Sequence, residues 1–367
     1  MRPGDNEAER VLLIPFAPGI GDVVMMEPLL RALQVNRPEW RLTVVARDYA
    51  SDLLRPGGYE LVSPFYFVSE VPAPLRPLQR LIPQRLIARA AEPAMALSLG
   101  PFGRVINLFW AWESRMPFGE WWTPQWPMRE DVRHAVDLLS EYLEEETRIH
   151  IPLAHRVPRL EVFPEAALWA EEYLEENGLS GCPQVSMIVS ASSPLKWWDV
   201  AKWVELNEWL QWMGWRTLLV GPEDHRQAQL VYDACLRKPF WPNLGLRQLV
   251  ALLARSDLVV GIDTGPLHVA AALGTPWVGL FGPCNPDVIG PYDRSLGRAV
   301  VARLPKPSSC RDCWFAFKGW GGRCPTLPAT GCTTLITVEE VEEAILAACC
   351  GTPLASFDNP GHGINDD

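Results

Sequence analysis

The apolar positions along this chain fall into short continuous runs alternating with segments of helical period. Val11–Phe16, Leu42–Ala46 and Val105–Leu108 are runs of four to six mostly apolar residues, as expected for parallel strands covered on both faces. Helices are predicted between and after them, over Val23 to Asn36 and Asp131 to Glu146. The second has Val132, Ala135, Val136, Leu139 and Leu143 on one face. A further helix over Glu165 to Asn177 is closed by Gly178 and carries the chain between two blocks. The second block repeats the rhythm, with strands at Val185–Val189, Thr217–Val220, Leu258–Gly261, Trp277–Phe281 and Ala299–Ala302. Helices are expected near Val200–Met213, His225–Leu236, Leu246–Ala254 and Pro266–Leu273. Thr337-Val338-Glu339-Glu340 is a capping box for a last helix ending near Cys350, and Gly351 to Asp367 reads as a disordered tail. Alternation in two blocks predicts an α/β protein of two doubly wound, Rossmann-like domains. The expected division is residues 1–165, 180–335 with a cysteine-rich loop at 305–332, the helix 336–350, and the tail 351–367.

One run is more specific than the rest. Asp257–Gly261 is a buried strand, Asp263 and Thr264 are natural helix N-caps, and Pro266 suits the first helical position. Gly274 stops the helix and Pro276 opens the next strand. A helix N-terminus flanked by Asp263, Thr264 and His268, above the carboxyl end of a parallel strand, is where such sheets bind a nucleotide diphosphate. Gly19 and Gly21 fit the first two glycines of a dinucleotide fingerprint, but Val24 stands at the third, which argues against a dinucleotide.

The stretch Gly261 to Pro283 (GIDTGPLHVAAALGTPWVGLFGP) resembles the donor-site motif of glycosyltransferase family 9, the ADP-heptose:lipopolysaccharide heptosyltransferases. Val11–Ile14, Gly19-Ile20-Gly21-Asp22-Val23-Val24 and Pro28–Leu33 resemble that family's first strand, glycine turn and first helix, and the similarity is colinear over most of residues 11 to 345. The resemblance implies a GT-B fold, with the active site between the two domains and the last helix packing back near the first domain, and inverting transfer of a heptose from ADP-heptose to a lipopolysaccharide-core-type glycolipid. It implies Asp22 as general base, because a carboxylate facing the cleft can take the proton of the attacking hydroxyl. It implies Lys196, in the serine-rich loop with Ser192 after a strand end, as a contact of the donor phosphates, and Glu223 as a contact of the nucleoside. Thr264, Gly265 and His268 would hold the diphosphate. Asp263 either caps the helix or binds a sugar hydroxyl. Gly21, Arg76 and Arg80 are candidates for the acceptor side.

Composition narrows the partners. Net charge is −11 over 367 residues, which argues against nucleic-acid binding through phosphate neutralisation. There is no apolar run of about 18 residues and no signal-like segment in Met1 to Arg10, so a cytoplasmic protein is expected. Residues 71–91 nevertheless carry Arg76, Arg80, Arg85 and Arg89 with no acid. They read either as a connecting loop or as a basic apolar flap that meets an anionic acceptor and touches the inner face of the plasma membrane. Of 17 tryptophans, most are expected in cores, and those from Trp110 to Trp126 are the better candidates for sugar contact.

Cys310, Cys313, Cys324 and Cys332 have the spacing C-x2-C-x10-C-x7-C, which suits a structural Zn or Fe site; two disulfides or free thiols are the alternatives. Protein-modifying relatives of the family use such a set to hold iron, which adds a protein hydroxyl as an alternative acceptor. Catalysis in a GT-B enzyme needs no cofactor at the diphosphate. A rival from another class is a nucleotide- or glycan-binding scaffold without turnover, which would have no use for both Asp22 and Lys196.

Overall fold

A computed structural model of the chain describes residues 8–54, 57–63, 99–115, 133–303, 327 and 331–349, with side chains over 112–115 excepted. The first sheet is built from β1 (Arg10–Ile14), β2 (Arg41–Val45), β3 (Tyr59–Val62) and β4 (Arg104–Asn107), in the order β3-β2-β1-β4. All three pairings are parallel, with Val11 opposite Leu42 and opposite Arg104. Helices α1 (Ile20–Asn36), α2 (Leu108–Arg115) and α3 (Ala135–Thr147) accompany it. In β1 and β2 every residue after the first is buried, which is why both read as unbroken apolar runs.

The chain then passes through α4 (Pro164–Glu176) into a second parallel sheet. Its strands are β5 (Gln184–Ile188), β6 (Arg216–Val220), β7 (Leu258–Ile262), β8 (Trp277–Phe281) and β9 (Gly297–Val301), in the order β6-β5-β7-β8-β9. The connecting helices are α5 (Val200–Trp212), α6 (Arg226–Ala234), α7 (Leu246–Arg255), α8 (Gly265–Ala272) and the short α9 (Pro286–Ile289). Strands β5, β7 and β8 are buried throughout. Gly274 closes α8 with a φ of +77°, a left-handed turn that glycine adopts without a Cβ clash. The expected class is what the chain adopts: two doubly wound, Rossmann-like units.

Three expectations are corrected or refined. Strand β3 was absent from the sequence pattern, because its residues are half-buried or exposed and give no continuous apolar run. The last helix, α10 (Val338–Cys349), opens on the expected box: Thr337 N donates to Glu340 Oε2 at 3.0 Å and Glu340 N to Thr337 Oγ1 at 3.2 Å. The resemblance suggested that this helix returns to the first domain. Instead Val338, Val341 and Ile345 are buried in the second core with Val185, Val278 and Leu280. Helix α4 also belongs to the second unit, packing Ala166, Ala170 and Leu174 against Ala251 and Leu252 of α7.

The two units meet along α1 and α8. One apolar cluster runs through Val23, Val24 and Met25 into Leu267, Val269 and Ala270 without a break. The connecting segment 149–163 is tied to both units by polar contacts: Arg31 donates to the carbonyls of His155 and Val157, Arg159 N to Glu27 Oε2, and Leu160 N to Ala272 O. Further bridges are Arg247–Asp52 at 2.8 Å and Tyr292 Oη to Asp137 Oδ1 at 2.9 Å. These contacts tie backbone carbonyls and carboxylates of one unit to donors of the other.

Candidate active site

The first turns of α1 and α8 lie against one another. Gly21 lies so close to the His268 ring that an added Cβ would stand 2.8 Å from His268 Cδ2. An added Cβ on Gly265 would stand 2.5 Å from Ile20 Cβ and 3.2 Å from Gly21 N. All three distances are below van der Waals contact, so glycine at both positions permits this approach. Each helix N-terminus carries a partial positive charge and N–H groups without intrahelical partners. Two of them converging on one place make a site for an anion.

Asp22 sits in the first turn of α1, half-buried, and its Oδ2 accepts the Gly19 N–H at 2.7 Å. That bond caps the first turn, and through one oxygen it fixes the carboxylate at the mouth of the turn. The loop before it is tied by Tyr49, whose hydroxyl donates to Pro18 O. Burial, and then the Asp22 charge, push the Tyr49 phenol up to about 12, so it stays a donor. In α8 the backbone N-cap is Thr264, but its side chain makes no capping bond.

Asp263 does not cap the helix either. It is 3% exposed and pairs with Lys196, Nζ to Oδ2 at 2.7 Å, while Nζ also donates to the Asp263 carbonyl at 3.1 Å. The buried Cys284 thiol, just past the end of β8, contacts both. Burial works to lower the Lys196 pKa, but the charge of Asp263 and the Cys284 contact more than reverse it, and the net shift is upward. Burial works to raise the Asp263 carboxyl, and the Lys196 charge with the thiol brings it below the ordinary value. Burial pushes the Cys284 thiol well up, so it remains protonated. Lys196 reaches this pair because the turn Pro194–Lys196 follows β5, the neighbour of β7, and Ser193 Oγ accepts Leu195 N–H. Lys196 and Asp263 thus form a charge-neutral strut beneath the first turn of α8.

His268 is 6% exposed and its pKa is lowered to about 4, first by burial and then by the nearby His134 and Lys196, against the pull of Asp263. It is a neutral imidazole at pH 7. It lines a small interdomain cavity with Val24, Met25, Pro158 and Tyr292. His134, from the start of α3, has its pKa lowered to about 4, chiefly by burial. Its Nε2 donates to Gly290 O at 2.8 Å and its Nδ1 accepts Val136 N–H at 3.1 Å, which fixes the neutral tautomer.

Those two shifts set a pH dependence. An unfolded histidine titrates near 6.5, and both native rings titrate near 4. Between these values the unfolded chain binds more protons, so stability is full above about pH 6.5 and falls as pH drops toward 4. The slope reaches about 1.4 kcal/mol per pH unit for each histidine. His134→Asn, which still caps α3, should remove up to half of that slope in urea unfolding followed from pH 4 to 7. An unchanged slope would mean that His134 titrates alike in both states.

The remaining expected residues are placed less centrally. Ser192 is exposed on the loop after β5, and Glu223 is exposed after β6. Arg76 and Arg80 lie outside the described residues, as do Cys310, Cys313 and Cys324. Cys332 is buried at the start of the turn Cys332–Leu335. Among the described residues no three histidine, cysteine or acidic side chains gather as a metal site. No described helix is long and apolar enough to cross a membrane. Sequence reasoning missed Cys284 and Ile20. Cys284 had one usable signal, its position directly after a strand end in the same sheet as β7.

Comparisons with known proteins show the family and the fold. The sequence profile of glycosyltransferase family 9 (heptosyltransferase) matches residues 102–316, from the end of the first sheet through β9. Lipopolysaccharide heptosyltransferase 2 of Escherichia coli K12 is 27% identical over 317 residues, 78% of this chain and 85% of that protein. Lipopolysaccharide heptosyltransferase 1 of Pseudomonas aeruginosa is 32% identical over 117 residues, which is 31% of this chain and only a third (33%) of that protein. The crystal structure of a family 9 glycosyl transferase from Veillonella parvula superposes with a TM-score of 0.67 at 20% identity, covering 96% of this chain and all of that one, a likeness of fold. Since the family profile spans more than half of the 367 residues, the chain belongs to glycosyltransferase family 9, the heptosyltransferases.

Proposed function

We propose that this glycosyltransferase moves a heptose from ADP-heptose to a hydroxyl of an anionic, lipopolysaccharide-core-type glycolipid, with inversion at the anomeric carbon. The observation that carries this reading is the close approach of the first turns of α1 and α8, which sets Gly21, the neighbour of Asp22, against the His268 ring of the other unit. The diphosphate would lie at the first turn of α8, met by the N–H groups of Gly265 onward, the Thr264 hydroxyl and the neutral His268. Charge growing on the leaving phosphate is stabilised by these fixed dipoles. The Lys196–Asp263 pair, Nζ to Oδ2 at 2.7 Å, would brace that turn, with Lys196 as a cation beside it. Asp22 takes the proton from the acceptor hydroxyl as its oxygen attacks. Glu223 and Ser192 would border the nucleoside and phosphates, and Gly21 the acceptor, with Arg76 and Arg80 on its anionic groups. An acceptor of this kind places the protein in the cytoplasm at the inner face of the plasma membrane.

The test is ADP release from ADP-heptose with a heptose-deficient core glycolipid, with the product weighed by mass spectrometry. A gain of one heptose on the glycolipid supports the reading. Transfer only to a protein hydroxyl, or donor binding without turnover, would replace it with one of the rivals.

Within the same protein we propose that Cys310, Cys313, Cys324 and Cys332 hold one structural Zn or Fe, since four thiolates at this spacing suit tetrahedral coordination. Cys332 fits such a ligand. It is buried where the segment rejoins the second unit, beside Thr333, whose hydroxyl donates to Leu195 O. Protein purified without added metal should contain about one equivalent by elemental analysis, lost in Cys310→Ser. Metal-free protein with titratable thiols would remove the site.

A further inference from the structure

We infer that Ile20 is a positioning residue: seated on Gly265, it sets how closely Asp22 approaches the donor helix. The inference rests on the reading of Asp22 as base. Ile20 opens α1 and Asp22 follows two residues later in the same turn, so whatever fixes Ile20 fixes the carboxylate. On the opposite side, Gly265 opens α8, and a side chain there would overlap Ile20 Cβ at 2.5 Å and Cγ2 at 2.7 Å. Gly21 repeats the fit one residue on, with the His268 ring in place of the Ile20 side chain. The two contacts interlock: a side chain of the first unit fills a glycine of the second, and a side chain of the second fills a glycine of the first. Two such contacts fix both the separation and the rotation of the facing turns. Apolar packing holds them together where two like-signed helix ends would otherwise repel.

A base must stand within about 2.6–3.2 Å of its proton, and displacement by about 1 Å costs up to about a hundredfold in rate. Gly265→Ala would push the turns apart by forcing a methyl against Ile20. Ile20→Gly would empty the seat without a clash. Ile20→Gly/Gly265→Ala moves the methyl to the other side and restores contact, since the two overlapping Ile20 atoms are then gone and the next nearest atom is Gly21 N at 3.2 Å.

The experiment measures kcat and donor KM for heptosyl transfer, with hydrogen exchange of residues 20–26 and 265–272, in the wild type and the three variants. Gly265→Ala should lose at least tenfold in kcat and lose protection in both segments. Ile20→Gly should lose several-fold in kcat with donor KM within twofold. The double variant should regain most of both losses. A double variant as slow as Gly265→Ala would overturn the inference, because the loss would then arise inside the donor site. Should Gly265→Ala fail to fold, an Ile20→Gly variant with wild-type kcat overturns it equally. If wild-type protein transfers no heptose, the proposed activity fails, while the exchange data still decide whether the contact forms.

Discussion

Asp22→Asn is expected to lower turnover by roughly two to four powers of ten while leaving the fold and ADP affinity near the wild type. The asparagine side-chain oxygen can still accept the Gly19 N–H that Asp22 Oδ2 accepts at 2.7 Å, so the first turn of α1 keeps its cap. What disappears is the basic lone pair. Single-turnover transfer with saturating donor, together with calorimetric ADP titration and a melting curve, separates these effects. A drop in kcat with unchanged donor binding and melting temperature identifies the carboxylate as base. Turnover within a factor of three of the wild type would leave Asp22 as a helix cap and require the base elsewhere. Asp22→Ala makes the contrast, because it removes both functions and should also lower stability by about 0.5–2 kcal/mol.

The largest stability change is expected at Lys196. Removing one partner of a buried ion pair leaves the other charge unsolvated, at a typical cost of about 3–5 kcal/mol. In Lys196→Met the orphan is Asp263, which is 3% exposed. It would have to take up a proton or admit water, and the carbonyl of Asp263 would lose its donor as well. The fall in melting temperature should be roughly 6–20 °C, at about 2–4 °C per kcal/mol for a chain of this class. Lys196→Met/Asp263→Asn should recover much of the stability, since no buried charge is left over. It should not recover donor binding or turnover, which need the turn at α8 and a nearby cation. The sign with pH follows from the lowered carboxyl of Asp263. The pair's stabilisation is present above the ordinary carboxylate range, which begins near 3.8, and is lost as pH falls through the still lower native value. Equal melting temperatures for wild type and Lys196→Met would show that the pair contributes nothing.

The periodic segments were legible because their physics is local. Continuous apolar runs at β1, β5, β7 and β8 are buried on both faces, and the predicted ends fall within one or two residues of those observed. The Thr337–Glu340 box and the Gly274 stop act over three or four residues and could be read directly. The edge strand β3 lacked any such pattern, since an edge position does not demand apolar residues on both sides. At the site, sequence found the residues but not their partners. Asp263 and Thr264 have the composition of N-caps, yet neither side chain caps α8, because a lysine 67 positions away claims the aspartate.

What the sequence determined by itself is thus the fold class, the order of the buried strands and of most helices, the family, and the location of its two motifs at the starts of α1 and α8. Each of these depends on periodicity, turn chemistry or a short contiguous match. The tertiary structure alone decided that the two motifs face each other, that Lys196 is held by Asp263 and Cys284, and that α10 stays with the second sheet. Those outcomes turn on which buried charge finds which counter-charge and which glycine admits which side chain. Both are settled by distances between residues far apart in the chain. The glycines at 21 and 265 illustrate the difference: along the chain they read as turn and helix-start residues, and only across the domain boundary does the missing Cβ become the space another side chain occupies.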